Sequence, residues 1–284
     1  VGVPRDAAAA RGEFRRLCKR GLLQACVNLG AQSFKGVGGP KQVDEGLAQL
    51  KKACEDGHGG ACRFVADRFE KGLVVPRDPS RAARLRARSC ALGDQTGCVN
   101  LAFALSKRSD FKSRLRTGAL YLQSCDKGYH IACSNLANMV RDGRFGGRDV
   151  DWAVALLTRA CDGGFGPACG KLSALYGLGK DAPKDPAKVR AWAARGCKLG
   201  HGPSCSLLGL RTRDKKASIA SYRKACAAKS GAGCFGLGMA LMGKQTKLAR
   251  AFLVTACKLG YGPGCNRFGL LLRGPAGPRR SSPK

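Results

Sequence analysis

Hydrophobic and polar positions recur along this chain in blocks of about 36 residues. Each block contains a cysteine with a small residue before it, an apolar residue three positions after it and a small residue four positions after it. In most blocks another apolar residue follows four positions after the first apolar one, as at Phe69, Leu105 and Val140. Because this spacing places the apolar residues on one helical face, the pattern predicts an amphipathic helix after each of these cysteines.

A second helix is predicted before each block's first cysteine, eight residues upstream of the other. The residues twelve positions before that cysteine are Asp6, Gln42, Asp78, Ser113, Asp149, Asp185, Asp214 and Gln245. Six of these eight are favoured helix N-caps. The residues three positions after it are Gly21, Gly57, Gly93, Gly128, Gly164, Gly200, Lys229 and Gly260. Glycine is the usual residue at the left-handed position that ends a helix, so each block predicts a helical hairpin.

The cysteines set the period of the chain. All sixteen fall into eight pairs with seven residues between the partners: Cys18 with Cys26, Cys54 with Cys62, Cys90 with Cys98, Cys125 with Cys133, Cys161 with Cys169, Cys197 with Cys205, Cys226 with Cys234 and Cys257 with Cys265. Successive first cysteines lie 36, 36, 35, 36, 36, 29 and 31 residues apart. A period in the mid-thirties is typical of an α-helical solenoid, so the sequence predicts an all-α solenoid.

The spacing within each pair favours a disulfide. On one continuous helix, residues eight apart would be separated by about 12 Å along the axis, but a glycine turn between two helices brings the cysteines face to face. Zinc sites usually have cysteines two to four residues apart, and a dithiol oxidoreductase would show Cys-x-x-Cys. Neither spacing occurs within the pairs. Metal or redox chemistry therefore stays the weaker alternative, and no metal or cofactor is predicted.

No catalytic residue is predicted. His58 and His201 occupy a loop-tip position, one residue after the cap glycine, that also accepts Leu, Phe and Tyr, so we interpret them as packing residues. Four Ser-x-x-Lys matches begin at Ser109, Ser124, Ser221 and Ser281. Such matches are expected by chance in a lysine-rich chain, and the Ser-Asp-Asn and Lys-Thr-Gly elements of serine β-lactamases are missing.

Charge adds a hypothesis about partners. With 51 Lys and Arg against 19 Asp and Glu, the formal net charge is +32, which attracts acidic proteins and anionic surfaces. Aromatic residues make up only 6% of the chain, and nucleic-acid grooves usually pair basic with stacking side chains. An acidic protein or an anionic envelope surface is thus favoured over nucleic acid.

The repeated unit resembles the Sel-1-like repeat, in particular its cysteine-rich branch, typified by the Helicobacter cysteine-rich proteins. The segments KACEDGHGGAC, TRACDGGFGPAC and VTACKLGYGPGC carry the likeness. The resemblance implies a right-handed superhelix of disulfide-stapled α/α hairpins with a concave face for partners. It also implies the family's alternatives, which are penicillin binding or weak β-lactamase activity, and a mitochondrial intermembrane-space role in a eukaryote.

These observations predict a single monomeric solenoid of about eight repeats over residues 1–273 and a disordered basic tail over 274–284. The chain opens in mid-repeat, so we expect a further helix upstream of Val1. The number of cysteines points to an oxidising compartment, periplasmic or extracellular, and no apolar run is long enough to span a membrane. The predicted function is that of a non-enzymatic scaffold for protein binding; binding of anionic lipid, lipopolysaccharide or nucleic acid through the charge is an alternative.

Overall fold

The computed structural model describes residues 6–243 and 245–273, and these residues form sixteen α-helices without a β-strand. The helices are α1 Ala7–Lys19, α2 Leu23–Lys35, α3 Val43–Glu55, α4 Gly59–Lys71, α5 Pro79–Ala91, α6 Gln95–Ser106, α7 Phe111–Asp126, α8 His130–Arg141, α9 Val150–Asp162, α10 Gly166–Leu178, α11 Pro186–Lys198, α12 Gly202–Arg211, α13 Lys215–Ala227, α14 Gly231–Leu241, α15 Thr246–Lys258 and α16 Gly262–Arg273. The all-α solenoid prediction is confirmed. The predicted tail at 274–284 lies outside the described residues.

The chain divides into two compact units, residues 1–132 and 133–284. Within the first unit, each helix from α1 to α7 packs against the next helix in sequence, and α4 also packs against α6. In the second unit, α9 to α16 pack in the same sequential order. The even-numbered helices of this unit also stack in turn, with α10 on α12, α12 on α14 and α14 on α16. Among its odd-numbered helices, α11 and α13 approach each other less extensively.

Most of the predicted N-caps are observed. The Asp78 carboxylate accepts the backbone N–H of Arg81 at 2.8 Å, and aspartates cap α1, α9, α11 and α13 in the same way. The prediction of Ser113 as a cap is wrong. Helix α7 begins three residues earlier because Asp110 accepts the Ser113 N–H at 2.8 Å. The fourth block thus has a longer first helix than its neighbours.

The turn inside each hairpin contains a residue in the left-handed conformation, and the residue after it donates a hydrogen bond back to the first helix. The seven predicted glycines have φ between 77° and 100°, and Lys229 adopts φ 57° at the equivalent position. The next residue then donates its backbone N–H five residues back, as from His58 to the Ala53 carbonyl and from Phe165 to Ala160, both at 2.9 Å. This is the Schellman arrangement, and it ends the first helix of every hairpin.

Small residues allow the helices to approach closely, as the pattern predicts. A Cβ atom at Gly46 in α3 would stand 2.6 Å from the carbonyl oxygen of Gly30 in α2. A Cβ atom at Gly30 itself would stand 2.8 Å from Leu50 in α3, and at the equivalent Gly238 in α14 it would stand 3.0 Å from Leu253 in α15. The apolar residues beside them, such as Leu29 and Leu237, are buried. Each hairpin therefore shares its core with the first helix of the next one.

Candidate interaction surface

The cysteine pairs lie inside the hairpins and at bonding distance. In the seven pairs other than Cys125 with Cys133, the two Cα atoms are 4.4 to 5.0 Å apart. Cys125 and Cys133 are not free either. Since a disulfide tolerates Cα separations of about 4.4 to 6.8 Å, this geometry suits a structural clip within each of these seven hairpins. The seven are Cys18 with Cys26, Cys54 with Cys62, Cys90 with Cys98, Cys161 with Cys169, Cys197 with Cys205, Cys226 with Cys234 and Cys257 with Cys265.

The second cysteine of a pair differs in burial from one hairpin to another. Cys98 in α6 is buried and Cys62 in α4 is completely buried, whereas Cys26 in α2 and Cys265 in α16 are only half-buried. The Cα atoms of Cys26, Cys98 and Cys265 nevertheless lie 4.6, 4.4 and 4.5 Å from those of the cysteines eight residues earlier. The spacing predicted this uniform geometry but not the uneven burial, which depends on the neighbouring helices. The assignment of all sixteen cysteines to disulfides stays a prediction.

The loop-tip residues, one after each left-handed position, connect neighbouring repeats. These residues are Leu22, His58, Asp94, Tyr129, Phe165, His201, Ser230 and Tyr261. Side chains at five of these positions meet the second helix of the preceding repeat: His58 with Gln24, Asp94 with Arg63, Tyr129 with Thr96, Ser230 with Ser206 and Tyr261 with Phe235. The spacing alone did not reveal this role, because these partners lie 24 to 34 residues away.

The two loop-tip histidines have structural surroundings. The His58 Nδ1 atom accepts the backbone N–H of Ala61 at 3.1 Å and so caps α4. The His201 Nδ1 atom shares a hydrogen bond of 2.8 Å with the Ser204 hydroxyl, and its ring packs over Gly170. Burial lowers the pKa of His201 below its usual value. Among residues 6–243 and 245–273, no three His, Cys, Asp or Glu side chains gather as a metal site.

The Ser-x-x-Lys matches do not form serine–lysine dyads in the part of the chain that the structure describes. Ser109 lies in the exposed connection before α7, and Ser124 is completely buried in that helix. The Ser221 hydroxyl donates to the Ala217 carbonyl at 2.9 Å. The match at 281–284 lies outside the described residues. The first three serines thus have no lysine partner and no common surroundings.

A serine–lysine contact does occur elsewhere. The Lys171 ammonium donates to the Ser134 hydroxyl at 2.7 Å, and burial together with the charge of Arg141 lowers the pKa of Lys171. However, Ser134 has no exposed surface. A substrate therefore cannot reach this hydroxyl, and the contact serves to join α8 to α10.

An apolar groove crosses three consecutive repeats of the second unit. A cavity of about 660 Å³ lies between α12 and α14, and its large lining side chains are Leu207, Leu210, Tyr222, Phe235, Met239 and Tyr261. Leu210, Met239 and Leu270 each stand five residues after a second cysteine, with exposed fractions of 69%, 37% and 50%. Exposed apolar side chains in register on stacked helices are typical of a binding surface.

A basic cavity opens beside this groove. Its volume is about 520 Å³, and its lining includes Tyr176, Lys184, Val189, Arg190, Arg211 and Arg213. The last turn of α12 contributes to both depressions, with Leu210 in the apolar groove and Arg211 in the basic cavity. From residue 202 to 273 the sequence has thirteen Lys and Arg but a single acidic residue, Asp214. The apolar groove is therefore set in a strongly cationic part of the chain.

The first unit has a different depression. A cavity of about 360 Å³ includes Phe103, Asp67 and Glu70 in its lining. Both carboxylates pair with Arg86, at 3.5 Å and 2.8 Å. Charges of opposite sign balance one another here. The lining of the apolar groove, in contrast, contains no acidic residue. The two depressions therefore differ in charge.

Comparisons with known proteins identify the repeat. The Sel1 repeat model matches residues 23–58, 60–94, 130–165 and 166–201, which together cover just over half of the chain. The chain is similar to cytochrome c oxidase assembly factor 7 of Xenopus tropicalis, with 34% identity over 105 residues, and to factor 7A of Xenopus laevis, with 35% over 105. Each match covers 35% of this chain, which spans about half the length of these relatives, 46% in each case.

Solved structures share the fold. A Sel1 repeat protein from Oxalobacter formigenes superposes with a TM-score of 0.57 at 19% identity, covering 96% of this chain and 86% of that one. The protective antigen c5321 of uropathogenic Escherichia coli, which has an SLR fold, gives 0.50 at 22% identity, covering 95% and 68%. None of the sixteen helices in the described residues combines the length and the hydrophobicity that a membrane span requires. By its repeats and its fold, the chain belongs to the Sel1 repeat family.

Proposed function

We propose that this protein is a non-enzymatic scaffold that binds a protein partner along the even-numbered helices of its second unit. The observation that carries the proposal is the apolar groove, which is lined by the exposed side chains of Leu210 and Met239. Leu270 is exposed at the equivalent position of α16. Large apolar side chains left in water at regular spacing favour association, since their burial is worth about 25 cal/mol per Å². Sel1 repeats are typically protein-binding modules, which agrees with this use of the groove.

The packing of the second unit supports a concave binding face. Its even-numbered helices stack more extensively than its odd-numbered ones. Repeats whose helices are closer on one side curve toward that side, and solenoids use the resulting concave surface for binding. The apolar groove lies on α12 and α14, which belong to the closely stacked set.

The chemistry of the surroundings favours an acidic partner segment. Asp214, the single carboxylate between residues 202 and 273, already accepts the Ala217 N–H at 2.6 Å as the cap of α13. The lysines and arginines of this region that lie outside the basic cavity are thus left for carboxylates of the partner. A segment with apolar anchors and flanking Asp or Glu residues would fill the groove and meet these charges, and opposite charges also speed association.

The cysteines support an oxidising compartment, either periplasmic or extracellular. None of the cysteines in the described residues is free, and disulfides persist where thiols are not kept reduced.

The Xenopus relatives are named for the assembly of cytochrome c oxidase. Holding other proteins during assembly is a task that suits a scaffold, and we extend that general role to this chain.

A capture experiment tests the groove. Oxidised wild-type protein, the double variant Leu210→Ser/Met239→Ser and the control Leu248→Ser would be immobilised and incubated with envelope extract. Leu248 is 45% exposed on α15 and does not line the groove, so its substitution is matched in chemistry. We expect a set of proteins retained by the wild type and the control and lost by the double variant. Identical retention by all three proteins would contradict the proposal, and nitrocefin turnover by the pure protein would contradict its non-enzymatic character.

A further inference from the structure

Four cationic side chains meet at the basic cavity without a carboxylate partner. Lys184 comes from the connection before α11, Arg190 from α11, Arg211 from the end of α12 and Arg213 from the connection after it. All four are exposed, and none forms an ion pair with any other described residue. The charges of four cations from separate segments add up to a positive local potential, and a concave surface concentrates that potential.

The one carboxylate in the lining of this cavity, Asp185, can offset only one of these four charges and pairs with none of them. The Asp185 Oδ1 atom accepts the backbone N–H groups of Ala187 and Lys188 at 3.0 and 2.9 Å, so it caps α11. Its other oxygen lies 3.8 Å from the Lys188 ammonium. The nearby Asp181 carboxylate forms ion pairs with Arg148 and Arg141. The carboxylates closest in sequence are thus already engaged, and the four cations of the cavity remain available.

The cavity also has an apolar part. Val189 is buried at its base, and the half-buried Tyr176 ring forms a wall. The Lys188 ammonium lies 4.7 Å from the centre of that ring. A volume of about 520 Å³ falls within the range of about 300 to 1,000 Å³ that small-molecule sites occupy. The depression therefore has a cationic rim, an aromatic wall and room for a small ligand.

We propose that the basic cavity is a binding site for a phosphate group carrying two or more negative charges. Each arginine presents N–H donors in a planar fork that matches phosphate oxygens. Three arginines and a lysine exceed what one carboxylate can neutralise, and they suit a pyrophosphate or a phosphomonoester. A soluble phosphate ester and a lipid headgroup offer this same group. The site is independent of the apolar groove, since the two depressions share helix α12 but no lining side chain.

Calorimetric titration with inorganic pyrophosphate tests the site. The cavity variant Arg190→Gln/Arg211→Gln is compared with the control Arg223→Gln/Lys247→Gln, which removes the same charge from exposed positions on α13 and α15. We expect the cavity variant to bind about tenfold more weakly, because charge-assisted hydrogen bonds to phosphate are lost. The control and the groove variant Leu210→Ser/Met239→Ser should bind like the wild type. Equal weakening in the cavity variant and the control, or no binding by the wild type, would overturn the proposal.

Vesicle sedimentation separates the two sources of phosphate. Vesicles of phosphatidylcholine with phosphatidic acid present a phosphomonoester on a surface, and pure phosphatidylcholine vesicles serve as the blank. Sedimentation that the cavity variant loses and the control keeps assigns the site to a lipid headgroup. Pyrophosphate binding without sedimentation assigns it to a soluble phosphate ester. Sedimentation of the cavity variant and the control to the same extent, with no difference in pyrophosphate binding, would sink the site and leave only the general attraction of a +32 chain.

Discussion

At the scale of the residue, the hairpin turn depends on one backbone conformation. Seven of the eight turns place glycine there, and Lys229 adopts φ 57° without glycine's freedom. A left-handed conformation costs a residue with a Cβ atom about 1 to 2 kcal/mol relative to the right-handed one, whereas glycine accepts it readily. Lys229 therefore marks a strained position in the turn between α13 and α14.

Replacing this lysine is expected to stabilise the repeat. We predict that Lys229→Gly raises the free energy of opening of its hairpin by about 1 kcal/mol, because the left-handed strain is relieved. The reverse change, Gly200→Lys, should lower the stability of the preceding hairpin by a similar amount. Amide hydrogen exchange at residues 226–234 and 197–205 measures the two effects separately. If Lys229→Gly did not slow the exchange at residues 226–234, the turn would not be strained.

Much of the residue-level picture follows from the sequence, because steric rules act locally. The cap glycines and their lysine exception are restricted by the allowed φ values, so spacing was enough to find them. Ser113 misled because serine and aspartate both cap helices, and spacing cannot show that Asp110 would do so three residues earlier. Pairs such as His58 with Gln24 depend on how repeats stack, which no local rule contains.

At the scale of the element, each hairpin is a small closed unit. In the loop-entropy model, closing a nine-residue ring with a disulfide contributes on the order of 2 to 3 kcal/mol. In a solenoid this contribution stays close to where it arises, since each repeat contacts mainly its neighbours. The helix bounds reflect the same modularity: the longer α7 leaves the cysteine spacing of the next hairpins unchanged.

Removal of one disulfide should lower the stability of its own hairpin alone. We predict that the double variant Cys161→Ala and Cys169→Ala lowers the stability of the α9–α10 hairpin by about 2 to 3 kcal/mol, because its unfolded chain regains loop entropy. Hydrogen exchange should accelerate there and stay unchanged at residues 18–26. The matched double variant Cys18→Ala and Cys26→Ala should give the opposite distribution. Equal acceleration along the whole chain in both variants would contradict local stabilisation.

At the scale of the whole molecule, the oxidation state of the cysteines tests the proposed oxidising compartment. We predict that alkylation of the native protein under denaturing but non-reducing conditions adds no mass, and that prior reduction allows sixteen additions. The reason is that every cysteine has its partner across a tight turn, so oxidation completes all eight rings, the half-buried ones at Cys26 and Cys265 as well as the buried one at Cys98. Intact-protein mass spectrometry gives the count. Eight or more additions without reduction would refute the disulfide assignment and with it the oxidising compartment.

Repetition makes the general architecture of the molecule predictable and its binding surfaces much less so. Eight copies of one pattern average out local ambiguity, which is why the all-α solenoid could be predicted from spacing. The apolar groove and the basic cavity depend on single side chains, such as Leu210 and Arg211, that lie outside the repeated pattern. Their positions become meaningful only when neighbouring helices bring them together.

The contacts of the loop-tip residues have a consequence for the order of the repeats. The five contacts that loop-tip side chains make with the preceding repeat use different pairs of residues: His58 with Gln24, Asp94 with Arg63, Tyr129 with Thr96, Ser230 with Ser206 and Tyr261 with Phe235. A chain with its repeats shuffled would keep every hairpin and mismatch these pairs, setting an aspartate against a serine or a phenylalanine. Mismatched polar partners are penalised at an interface. These contacts therefore specify which hairpin packs beside which, and so they fix the order of the repeats.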